Sequence, residues 1–89
     1  MEVECGTIIC EKPNGQRVKG ASACGDSHHV SVPNSCPSGS KRIAVSHNHP
    51  DNSPLSPKDK DTAYKHNIVV CVKTKPHGIR CYKPGKSRR

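Results

Sequence analysis

Phenylalanine and tryptophan are missing from this 89-residue chain, and apolar residues reach only 30%, below the ordinary globular share. That leaves a thin core for one small domain, the size at which a metal or disulfides usually supplement packing. No apolar run approaches the length of a membrane span, which excludes a spanning helix and makes a membrane partner unexpected. No signal-peptide pattern opens the chain, so the default compartment is the cytoplasm, with export as part of a longer protein left open. No CxxC pair occurs, which removes the usual zinc-ribbon and thioredoxin signatures. Acidic residues stop at Asp61. Residues 1–61 hold seven basic and seven acidic side chains, residues 62–89 hold eight Lys or Arg and no acid, and the whole net charge of +8 therefore lies in the last third. Such a block suits an acidic protein or a nucleic acid. A solvated basic tail over residues 83–89, following a domain over residues 1–82, is the plainer reading, because no Phe or Trp interleaves the cations to stack on bases.

What is present begins with six cysteines, at positions 5, 10, 24, 36, 71 and 81. An even count in a short chain allows three disulfides, and reduced buried thiols compete with them. Cys5 and Cys10 have opposite parity on one strand and face opposite sides, so they do not pair with each other. A hairpin centred on Pro76 sets Cys71 opposite Cys81. Cys24 and Cys36 flank an irregular loop, and a bond between them would close it.

Residues 2–10 alternate and are rich in Val and Ile, a strand pattern. Asn14-Gly15 then signals a tight hairpin, with a return strand from Gln16 to Lys19. Residues 20–41 are crowded with Gly, Ser, Pro and Asn and read as loop, with a short strand at 28–32. A strand over 41–46 follows. The pattern then predicts a helix from about Pro57 to His66 and a final hairpin of strands 68–74 and 78–82. The expected class is α+β: a small mixed sheet with one short helix.

The densest chemistry lies in His47-Asn48-His49-Pro50 followed by Ser56-Pro57-Lys58-Asp59. Histidines at i and i+2 of a strand project to one face and can reach one metal ion. Asp59 is close enough in sequence to supply a third ligand. Three protein ligands leave a fourth tetrahedral position open, the catalytic zinc arrangement. The same serine segment also reads as a helix start, with Ser56 at the N-cap, Pro57 at N1 and an acid at N3. The two readings are compatible if the Asp59 side chain turns toward the metal instead of completing the capping box. Asp61 is the weaker substitute ligand.

This pattern resembles the JAMM (MPN, or JAB) metallopeptidase family, whose motif is an upstream Glu, then His-x-His-Pro, then Ser-x-x-Asp. The matching residues are Glu4, His47, His49, Pro50, Ser56 and Asp59, and the resemblance covers roughly residues 2–84. It implies a minimal member, or a terminal domain of a larger protein, with a cytidine deaminase-like α–β architecture. It further implies one Zn2+ per chain held by His47, His49 and Asp59. Glu4 would be the general base and Ser56 a donor to the tetrahedral oxyanion. The implied activity is that of a zinc metallopeptidase or isopeptidase acting on a protein or peptide, and in some relatives that of a toxin or processing module. Glu2 and Glu11 are the other carboxylates of the first strand and stay in view as bases. A separate zinc set of Cys24, His28, His29 and Cys36 matches no common module. His66 and His77 read as structural. A different class also stays open, a basic nucleic-acid-binding module whose metal site is structural or vestigial.

Overall fold

The computed structural model describes residues 3–26 and 30–84. The elements run β1 (Cys5–Glu11), β2 (Arg17–Cys24), β3 (Lys41–Asn48), α1 (Pro57–His66), β4 (Val69–Thr74) and β5 (Gly78–Tyr82). The strands form one sheet in the order β2-β1-β3-β4-β5. Among the described residues only β3 and β4 pair in parallel. A parallel pair needs a crossover, and α1 supplies it. The α+β expectation of a mixed sheet with one short helix holds. Residues 20–24 belong to β2, so the loop begins later than its composition suggested, and Val30–Val32 form no strand.

The turn chemistry departs from the expected two-residue hairpin. The Gly15 amide donates to the Lys12 carbonyl, and the Lys12 amide donates to the Gln16 carbonyl. Within this turn only Gly15 has positive φ, at 88°. This is a three-residue loop: Pro13 sits at the second position of a type I turn, and Gly15 takes the left-handed place that closes it.

On β1 the buried residues alternate, with Gly6, Ile8 and Cys10 inward, and Glu4 continues the pattern just before the strand. Pairing carries that inner face across the sheet, Gly6 to His47 to Val72 and Ile8 to Val45 to Val70. The helix covers part of it, burying Ala63, Ile68 and Val70 with Val45, Leu55 and Tyr82 around them. Among the described residues six apolar side chains are buried, as thin a core as the composition allows.

Three disulfides reinforce it: Cys5–Cys24, Cys10–Cys36 and Cys71–Cys81. The Cys71–Cys81 pairing follows the hairpin register, as expected. The Cys24–Cys36 closure does not form. Cys24 ends β2 on the outer face opposite Cys5, whereas Cys36 comes over the inner face and reaches Cys10. The sheet itself separates them. The Cys10–Cys36 bond holds the 30–36 loop against the inner face, where a side chain at Gly6 would meet Val32 Cγ2 at 2.7 Å. Only glycine permits that approach.

Candidate metal centre

Strand alternation puts Val45, His47 and His49 on one face of the sheet. His49 lies one residue past β3, yet its amide still bonds the Lys73 carbonyl at 3.0 Å, extending the parallel ladder. The two Nε2 atoms stand 3.1 Å apart. Bare lone pairs repel at that range, and a shared proton or cation removes the repulsion. His49 Nδ1 faces the Ser53 carbonyl at 2.9 Å. A carbonyl only accepts, so Nδ1 carries the proton and Nε2 presents its lone pair inward, the tautomer a metal ligand needs.

Asp59 arrives from the helix. Its Oδ1 is 3.3 Å from His47 Nε2 and its Oδ2 is 3.6 Å from His49 Nε2. Ligand atoms ~2.1 Å from one tetrahedral zinc lie ~3.4 Å from one another. The two imidazole nitrogens are near that spacing from each other, and each is near it from a different oxygen of Asp59. The capping box is complete as well: the Ser56 amide donates to Asp59 Oδ2 at 2.9 Å, and the Asp59 amide donates to Ser56 Oγ at 3.1 Å. The expectation that Asp59 would choose between cap and metal is therefore corrected. A carboxylate has lone pairs enough for both. Burial pushes the Asp59 carboxyl up, but the hydrogen bond with His47 and the Ser56 amide outweigh it, and the group ends at about 2.

Glu4 approaches from the other side. Its carboxylate and the two imidazoles each place a ligand atom within 4.8 Å of the others, so Glu4 is near enough to bind a metal as well as to work beside one. Its backbone is paired both ways, the amide to the Asp26 carbonyl and the carbonyl to the Gly25 amide, each at 2.8 Å. Asn48 completes the support. Its Oδ1 accepts the Cys5 amide at 2.7 Å and its Nδ2 donates to the Val3 carbonyl at 3.2 Å. Those two groups bracket Glu4. The sequence analysis missed Asn48, whose position between the histidines gave no sign of the strand it would clasp.

Glu4, His47, His49 and Asp59 share a cleft of about 300 Å³ with Ser56. Val30 and Val32 of the stapled loop form one wall, and Lys58, Thr62 and His66 of the helix form the other. Asp61 is exposed and outside the cleft. Glu11 sits at the far end of β1, 3.9 Å from Arg17, away from the histidines. Glu2, His28 and His29 lie outside the described residues. Cys24 and Cys36 are bonded in disulfides, which removes them as thiolate ligands. His66 lines the cleft, and His77 lies in the β4–β5 turn.

No helix among the described residues is long and apolar enough to cross a membrane. Comparison with protein-family models, curated proteins and solved structures returns no match to this chain.

Proposed function

We propose that this chain is a zinc-dependent amide hydrolase of JAMM type, a minimal metallopeptidase or isopeptidase. The observation that carries the reading is the convergence of His47 Nε2, His49 Nε2 and the Asp59 carboxylate at zinc-ligand spacing, with Glu4 beside them. His47, His49 and Asp59 would hold a zinc ion, which would supply Lewis acidity and a bound water of pKa about 7. Glu4, buried and fixed through its backbone, takes the proton from the attacking water and returns it to the leaving amine. Ser56 keeps its own hydroxyl proton, because its oxygen is the acceptor in the helix cap. That proton is free to meet the developing oxyanion. Amide bonds of a protein or peptide are the substrate class. The three disulfides favour an oxidising compartment over the cytoplasmic default. The basic residues of 62–89 serve as a salt-sensitive contact to an acidic protein or nucleic acid.

One observation favours a second reading. Glu4 stands within ligand range, and four protein ligands would close the shell into a structural site in a basic binding module. Glu4→Gln separates the two. The hydrolase reading expects zinc content near wild type and hydrolysis slowed at least ~100-fold. Loss of zinc from this variant, with no hydrolysis in wild type, leaves the structural site.

A further inference from the structure

The inner face carries one cation that strand alternation alone would send to the other side. Along β1 and β3, Ile9 pairs Ala44 but Cys10 pairs Arg42, so Ile43 is skipped. Regular alternation from His47 and Val45 would put Ile43 inward and Arg42 outward. The bulge reverses this, and bulges commonly re-aim a side chain beside a site. Arg42 accordingly lines the cleft with Ile8 and Val45, half-buried. Among the described residues its side chain has no ion-pair or hydrogen-bond partner. From the facing helix, Lys58, Thr62 and His66 at i, i+4 and i+8 line the same cleft. Its only acidic lining residues are Glu4 and Asp59 at the histidine end. Charge is thus divided along the cleft: the carboxylates gather at the proposed reaction centre with Lys58 beside Asp59 in the chain, and Arg42 lies away from it over an apolar floor.

We infer that Arg42, with His66 on the facing helix, forms a subsite for a carboxylate of the peptide substrate. The inference rests on the hydrolase reading for what the substrate is, and it adds the substrate's chemistry. A half-buried guanidinium with no partner is best satisfied by a planar two-oxygen acceptor, which it binds through paired N–H donors. Arg42 lies five residues along β3 from His47, roughly 16 Å of strand. An extended peptide covers that span in about five residues, and the long arginine side chain shortens it. The carboxylate therefore belongs within five residues of the scissile bond, as an Asp or Glu side chain or as the chain terminus.

The test uses the full zinc-loaded chain carrying Glu4→Gln, so that bound peptide is not consumed. A pooled library of end-blocked heptapeptides is offered, and the bound fraction is read by mass spectrometry. Asp and Glu should be enriched about tenfold or more at one or two positions. Arg42→Gln should abolish the enrichment with zinc content retained, and Arg42→Lys should keep part of it. His66→Gln on the helix should weaken it. A second library lacking Asp and Glu, with free or amidated termini, tells a terminal carboxylate from a side chain. No acidic or terminal preference in either library, or a preference that survives Arg42→Gln, overturns the subsite. Because binding is read and hydrolysis is not, a wild type that cleaves nothing would sink the hydrolase reading alone.

Discussion

Ser56 and Asp59 hold each other, the Ser56 amide on Asp59 Oδ2 at 2.9 Å and the Asp59 amide on Ser56 Oγ at 3.1 Å. The reciprocal bond that starts the helix also sets the carboxylate against His47 and His49. In the proposed reading the start of the helix also positions a ligand, and the capping box acts as outer support for the set.

Metal removal should destabilise the fold. Wild type is expected to carry one zinc per chain, and His49→Ala should lower metal content and melting temperature together, because binding free energy contributes to folding. Metal analysis and melting with and without chelator check this. A wild type that holds no metal and ignores chelator would remove the centre from the account.

Ser56 has two duties that separate by substitution. Ser56→Ala should cost about 1 kcal/mol of stability through the lost cap and slow hydrolysis by roughly 100-fold or more. Glycine is a tolerable N-cap without a hydroxyl, so Ser56→Gly should recover most of the stability and none of the rate. Recovery of both would reduce Ser56 to a cap.

Asn48 positions Glu4 without touching the proposed reaction. Asn48→Ala removes two hydrogen bonds, each worth about 1 kcal/mol. Zinc should stay, and kcat should fall as the base loses its register. In the Glu4→Gln background the same change should have little further effect on rate, since coupled residues are non-additive. Additive losses would assign Asn48 to stability only.

Acid should destabilise the metal-free protein through Asp59. Folding lowers this carboxyl to about 2, against about 3.9 when unfolded. The unfolded chain binds more protons in that window, so stability is full above about pH 4 and is lost as pH falls toward 2. Melting of metal-free protein across that range should show the decline, and Asp59→Asn should flatten it. An unchanged slope in the variant would place the acid sensitivity elsewhere.

The helix, its cap, the last hairpin and the His47, His49, Asp59 set were legible in the chain because each depends on neighbours close in sequence. Cap chemistry, two-residue alternation and the symmetry of Cys71 and Cys81 about Pro76 are local rules, and local rules survive without coordinates. The bulge at Ile43, the Asn48 clasp and the pairing of Cys24 with Cys5 instead of Cys36 were not legible. Each depends on which strands become neighbours and on which face of the sheet a side chain emerges. One skipped residue is enough to turn Arg42 into the cleft, and no pattern along the chain records the skip. The meeting of His47, His49 and Asp59 was therefore written in short spacings, while the walls, the support around Glu4 and the distribution of charge arose from contacts between distant segments.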